Sequence, residues 1–349
     1  MQLIILKRAF TSTLAIAATA GSALIAQEPA RTPAPASAPA AATTPASTPP
    51  TAAAPLVASA PVATALPIAA AYTPHRVYDT KRKRFIDLET MIAAIARTDA
   101  AFLGEFHDDP GTHRLQRAIL EGTARRREGK IVLSLEMFER DAQSRLNAYL
   151  ANEIDEPTFL ANSRPWPNYN ADYRPLVEFA KENRWPVVGG NIPRRIASLV
   201  SRRGVIAIDS LPAADRPFAA AENSCPRDDY FKRFDAVMGD MSAHGMKPSP
   251  EERATMVSRM YEAQCAKDEA MGEAIAAAMT EHNTLVIHAN GAFHSDYRLG
   301  TVERVRRRAP RAKMIVVTFA PVADLDAANG REKRKMGDYV VFTLAPRRP

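Results

Sequence analysis

The sequence predicts an α/β fold, a three-layer sandwich with a mostly parallel central sheet and a helical insert acting as a lid. Three observations lead there. Short apolar runs alternate with helical segments along most of the chain from residue 100 onward, a pattern that places strands in a sheet covered on both faces. One stretch, about residues 205–282, breaks the alternation with long helical sequence and no convincing strand. Residues 73–349 are also numerous enough to bury most of their apolar surface in one large domain.

Taken in order, Ala100–Leu103 is a short apolar strand, followed by a polar loop over Glu105–Gly111 and a helix from Thr112 to about Arg127. Ile131–Leu135 and Trp185–Val188 are the second and third strands. Pro193 opens a helix that Gly204 stops, since proline is tolerated in a first turn and glycine favours the residue after a last one. Leu285–His288, Met314–Phe319 and Tyr339–Leu344 complete the strands. Right-handed crossovers make successive strands run the same way. Within the insert, Glu251–Thr280 is one long helix, preceded by a loop with His244 and Gly245. Seven of twelve methionines fall between 238 and 279. Adaptable core filling is the favoured explanation, and an apolar lid over a flat ligand is the other.

The N-terminus reads differently. Residues 1–26 have the form of a cleaved export signal: Lys7 and Arg8, then the small, uncharged run Ala15–Ala26. No cysteine follows that run, so a lipobox is missing. Residues 27–72 are Ala, Pro, Thr and Ser with little else, an extended and structureless tether. A periplasmic or secreted location follows, with the tether keeping the domain near a membrane or envelope layer. The net charge of +7 is scattered through arginine and lysine clusters at element ends, without the motif or aromatic interleaving that nucleic-acid binding requires. The only cysteines, Cys225 and Cys265, suggest one disulfide in an oxidising compartment.

The chemistry-bearing residues cluster where predicted strands end. Glu105 and His107 follow the first, Glu136 the second, Asn191 the third, and His288, Asn290 and His294 the fourth. Ligands of parallel sheets bind beyond the carboxyl ends of the strands, so these groups are expected on one rim. Glu105, His107, Glu136, His288 and His294 could ligate a divalent first-row metal ion. Glu105, His107, Glu136 and His294 could equally do acid–base work in a hydrolase without one. No GxSxG, HExxH, P-loop or GxGxxG occurs.

Gly104-Glu105-Phe106-His107 and Gly291-Ala292-Phe293-His294 are paired GxxH elements. With a Glu between them they resemble the Tiki/EreA/TraB superfamily, and further stretches resemble its ChaN-like haem-binding uptake branch. These are Leu135–Phe138, Trp166-Pro167-Asn168-Tyr169, Tyr173–Leu176, Asn191–Arg194, Gln264–Glu269 and His288–His294. The resemblance covers about residues 85–320. It implies an EreA-like α/β sandwich and a haem-binding protein of iron uptake, in a superfamily that also contains hydrolases and proposed metalloproteases. The missing lipobox departs from the family's common form. Haem requires an axial ligand, an apolar slot and cations for its propionates. The candidates are His107, Tyr169, Tyr173, His288, His294 and Tyr297 for the first, Trp166, Phe293 and the Met-rich helix for the second, and Arg174, Arg194 and Arg298 for the third. Lys267, Asp268 and Glu269 read as a solvated helix face or a structural pair. A homodimer is a further candidate partner.

Overall fold

The computed structural model describes residues 72–127, 131–239, 248–280 and 283–345. The predicted export signal and all but the last residue of the predicted tether lie outside them, as does the loop with Met241, His244, Gly245 and Met246. The described residues all fall within one unit, Thr64–Pro349.

Eight strands form one sheet: β1 (His75–Asp79), β2 (Arg84–Ile86), β3 (Ala100–Glu105), β4 (Ile131–Glu139), β5 (Val187–Asn191), β6 (Leu285–Gly291), β7 (Met314–Val322) and β8 (Tyr339–Leu344). Their order is β2-β1-β8-β7-β3-β6-β4-β5. Every pair from β8 to β5 is parallel, and only the β1–β2 and β1–β8 pairs are antiparallel. The hairpin β1–β2 is absent from the sequence-based expectation. Its strands are short and charged, and their pairing rests on the waiting edge of β8 rather than on their own pattern.

Helices α1 (Leu88–Ile95), α2 (Pro110–Ala124), α3 (Gln143–Leu150), α4 (Glu156–Ser163) and α5 (Arg174–Glu182) belong to one face. Their core includes Leu103, Leu135, Ile287 and Phe319 from alternate positions of four strands. The other face carries α6 (Arg194–Arg203), α7 (Asp229–Val237), α8 (Pro250–Ala278) and α9 (Thr301–Arg308), with Phe102, Val132, Val286 and Val316 pointing toward them. A single turn, α10 (Gly330–Lys333), precedes β8.

Local chemistry sets the helix ends. Asp109 accepts from the Gly111 amide at 3.0 Å and Pro110 opens α2. Ser249 and Glu252 form a capping box on α8. Gly204 ends α6 at φ 87°, a backbone conformation that favours glycine. The long helix α8 lies against β5, β4 and β6 between α6 and α9. Its Met271 is fully buried, 3.4 Å from where a Cβ on Gly190 would stand. Met256 and Met260 pack beside Tyr230 and Tyr261. These methionines fill core space. Cys225 and Cys265 are joined, tying the segment before α7 to α8.

The strands run further than the apolar runs indicated. β3 reaches Glu105, β4 reaches Glu139, β5 reaches Asn191 and β6 reaches Gly291. Backbone pairing continues past the point where side chains turn polar, with Gly104 opposite Asn290 and Glu105 opposite Gly291.

Candidate functional site

Strands β3 and β6 lie side by side, so the two GxxH elements meet, and each glycine makes room for the other element. A Cβ on Gly104 would stand 2.7 Å from Ser295 Oγ, in the turn that carries His294. A Cβ on Gly291 would stand 2.9 Å from His107 Nε2 and 3.5 Å from Glu136 Oε2. A side chain at either position would have to push Ser295 or His107 aside, so close approach accounts for both glycines.

Alternation along the strands separates the acidic residues. Glu105 follows Ala101 and Leu103 toward α2, whereas Glu136 follows Val132 and Ser134 toward α8. Two histidine–carboxylate groups result. In the first, Glu105 is completely buried. Its Oε1 accepts from His107 Nδ1 at 2.9 Å and from the Tyr173 hydroxyl at 2.6 Å, and its Oε2 accepts from Gln116 Nε2 at 2.6 Å. An ionised carboxylate only accepts, so His107 carries its proton on Nδ1 and directs Nε2 toward Gly291. The His107 side chain is 39% exposed. Trp166 stands edge-on to its ring, centres 4.7 Å apart. The backbone carbonyl of His107 accepts from Asn168 at 3.1 Å. Burial lowers the pKa of His107, but the bond to Glu105 and the charges of Glu136 and Glu105 outweigh it and the net shift is upward.

In the second group Glu136 Oε2 accepts from the Gly291 amide at 2.7 Å, and Oε1 lies 3.4 Å from His294 Nε2. His294 Nδ1 donates to Asp268 Oδ1 at 2.8 Å. Asp268 also accepts from Thr301 and from the Tyr230 hydroxyl, each at 2.7 Å. Asp268 is completely buried, so the expectation that the Lys267–Glu269 stretch is a solvated face does not hold for it. Burial opposes charge on His294, yet carboxylates on both sides push its pKa well above the usual imidazole range. Burial likewise opposes ionisation of Glu136, and the cationic His294 overrides it, holding that carboxyl well below its ordinary range.

The remaining candidates separate. His288 is sealed beneath the rim beside Phe102, bonded through Nδ1 to Ser134 Oγ at 2.9 Å. Its Nε2 has no partner, and burial pushes its pKa down to about 4. Tyr169 packs against Phe138 and Phe159 in the core. Tyr173 is fully buried, and burial followed by the Glu105 charge raises its hydroxyl pKa far above normal. Tyr297 is 39% exposed, held at φ 62°, with the Arg233 guanidinium 3.7 Å above its ring. Arg174 pairs with Glu156 at 2.6 Å, Arg298 with Asp338 at 2.5 Å, and the highly exposed Arg194 with Glu139 at 3.4 Å.

The five residues Glu105, His107, Glu136, His288 and His294 therefore do not make a single ligand set. Among the described residues no group of three or more His, Cys, Asp or Glu side chains is arranged to hold a metal ion. Strand parity is the reason, since it sends Glu105 and Glu136 to opposite faces and leaves His288 enclosed. His113, Gln116 and Tyr230 support the rim and were not singled out from the sequence, and Asn168 was named there only within a family-like stretch. Two surface hollows, of ≈ 390 and ≈ 600 Å³, lie elsewhere, lined by Glu121, Ala124, Arg125, Phe179 and Asn183 and by Arg203, Ile206, Ala207, Asp209 and Ser210. Neither holds a histidine or tyrosine, and neither includes a rim residue. No helix among the described residues is long and apolar enough to cross a membrane.

Comparison with known proteins bears on this rim. No curated protein matches the chain. The solved structure titled cofacial heme binding to ChaN of Campylobacter jejuni is 19% identical, covers 78% of this chain and 97% of its own, and superposes with a TM-score of 0.56. At that identity it shows a shared fold. An erythromycin esterase, EreC, in its open conformation is more distant, at 10% identity over 70% of this chain and 76% of its own with a TM-score of 0.39, too low to support any argument. The family model described as haem-binding uptake, Tiki superfamily, ChaN matches residues 91–305, from α1 into α9. That span takes in both interlocked GxxH elements and more than half of the sequence, and the chain belongs to this ChaN family of the Tiki superfamily.

Proposed function

We propose that the protein is an exported haem carrier of iron uptake that takes haem at the β3–β6 rim, with His107 as the axial ligand. One observation supports this most directly. His107 is the candidate imidazole whose ring reaches solvent while its Nδ1 proton is held by a buried carboxylate. Haem-binding histidines use that arrangement, because the second hydrogen bond sets the tautomer and leaves the other nitrogen's lone pair for iron. Trp166 offers an aromatic edge beside it, and Arg194, the most exposed of the three arginines and loosely paired, is available to a propionate. Residues 1–26, the tether and the Cys225–Cys265 bridge support export.

Titrating the purified protein with haem tests the proposal. A saturable Soret shift at micromolar haem is expected, and its absence removes the reading. The competing function, a His/Glu or metal-dependent hydrolase, would draw on the same accessible pair, with His107 as general base oriented by Glu105. Elemental analysis and ester and peptide panels, with Glu105→Gln as control, test it. A metal-free protein without hydrolysis counts against it.

A further inference from the structure

The rim is one end of the sheet, and the opposite end carries a different chemistry. There the parallel strands begin, with Ala100 beside Met314 and Val286, and Ile131 beside Leu285. Three connections distant in sequence are bound together at that end: residues 96–99 after α1, residues 125–127 after α2 and residues 309–313 after α9. Arg127 donates to the carbonyls of Ala96 at 3.0 Å, Thr98 at 2.7 Å and Asn283 at 3.0 Å. The Asp99 amide donates to the Lys313 carbonyl at 2.8 Å, and the Lys313 amide to the Asp99 carboxylate at 2.8 Å. Basic clusters that lie far apart in the sequence thereby become one face.

Arg97, Arg125, Arg126, Arg306, Arg311 and Lys313 are exposed there. Asp99 is the single carboxylate within the three connections. The adjoining residues 128–130 and 281–282 add Glu128, Lys130 and Glu281 in sequence, so a large positive excess stands. The helix C-termini that meet here are already answered by other contacts. Arg126 bonds the Gly122 carbonyl of α2, Arg127 the Ala96 carbonyl after α1, and Arg308 the Arg304 carbonyl of α9. Arg126 also pairs with Glu89. The other five exposed cations make no side-chain hydrogen bond or ion pair among the described residues. None of the large exposed apolar side chains, Tyr72, Ile206, Val237, Tyr297 and Leu344, belongs to these connections.

We propose that this face docks the domain on an anionic lipid membrane through headgroup phosphates, turning the rim away from the bilayer. Cations spread over three connections match phosphates spread in a plane. A nucleic acid would call for aromatic interleaving or an element shaped to a groove, and the face has neither. Without apolar side chains to insert, the attachment is electrostatic, and each cation near an anionic surface strengthens it about fivefold. The inference does not depend on haem.

Co-sedimentation of the purified full chain with vesicles tests it, comparing phosphatidylglycerol mixed with phosphatidylcholine against phosphatidylcholine alone. Binding is expected only where phosphatidylglycerol is present, and is expected to vanish at about 1 M salt, where the screening length falls to about 3 Å. Arg125→Glu/Arg306→Glu/Arg311→Glu is expected to weaken binding at least about 100-fold. Arg145→Glu/Arg202→Glu/Arg203→Glu changes the net charge equally at exposed positions on α3 and α6, and is expected to weaken it less than about tenfold. If the first variant does not fold, Arg125→Gln/Arg306→Gln/Arg311→Gln takes its place, with about 100-fold expected. Equal losses in the two sets of variants reduce the effect to net charge and overturn the docking face. Equal binding to both kinds of vesicle, binding to neither, or retention on a soluble polyanion without vesicle binding overturns it as well.

Discussion

The two histidine–carboxylate groups at the rim are built from the same residue types and lead to opposite chemistry. Around His107 one ring nitrogen is taken by Glu105, the other is directed toward Gly291, and the side chain is 39% exposed. Around His294 both nitrogens face carboxylates, Glu136 and Asp268, and the ring is buried between β4 and α8. The difference teaches that ligand availability is decided by the second nitrogen and by burial, not by the presence of a GxxH element. The His294 group is a buried ion triad, which holds elements together and is costly to break. The His107 group has one carboxylate bonded to its ring, and that ring is partly exposed.

The largest expected effect is on ligand binding by the open group. His107→Ala should abolish the saturable Soret shift while leaving the far-UV circular dichroism unchanged. His294→Ala should do the converse. It strands Glu136 and Asp268 without their cation, and denaturant unfolding should show a loss of about 3–5 kcal/mol with the haem spectrum retained. A haem spectrum lost in both variants, at equal stability, would erase the contrast between the groups.

A third measurement concerns His288, which is buried on the Glu136 face beside Ser134 and Phe102. Its folded pKa of about 4 is below the ordinary 6.5, so the unfolded chain binds a proton that the folded one refuses. Stability from this residue is therefore present above pH 6.5, falls as pH drops from 6.5 toward 4, and levels off below. The total is on the order of 3 kcal/mol. Unfolding midpoints across that window should flatten in His288→Gln, and an unchanged slope would show that His288 does not contribute.

The smallest effect is expected at Asn168, which bonds the His107 carbonyl and Asp172 from the Tyr169–Tyr173 turn. Asn168→Ala should cost about 1 kcal/mol of stability and weaken haem binding by a few-fold, measured by the same titration. An effect as large as that of His107→Ala would mean that the turn, rather than the strand end, creates the open group.

Much of the sheet was legible because apolar runs such as Ile131–Leu135 and Met314–Phe319 carry their own signal. The β1–β2 hairpin was not, since HRVYD and RFI depend on β8 for their existence. At the site, the convergence of Glu105, His107, Glu136 and His294 at the strand ends could be read from strand order alone. Their separation into two groups could not be read, because it depends on how far each strand continues past its apolar run. Asp268 shows the same limit. Its sequence neighbours are charged, and only the packing of α8 against α9 and the His294 turn shows it to be buried.

By itself the sequence determined the parallel α/β plan, the membership signalled by two GxxH elements, and the residue types collected at one rim. These are properties of local pattern and order along the chain. Only the tertiary structure decided which histidine reaches solvent, which tyrosines are enclosed, and which carboxylate is shared. Those outcomes depend on strand parity and on contacts between residues far apart in sequence, such as Glu105 with Tyr173 and Asp268 with His294. Their energies arise from burial and hydrogen-bond geometry that no single segment contains.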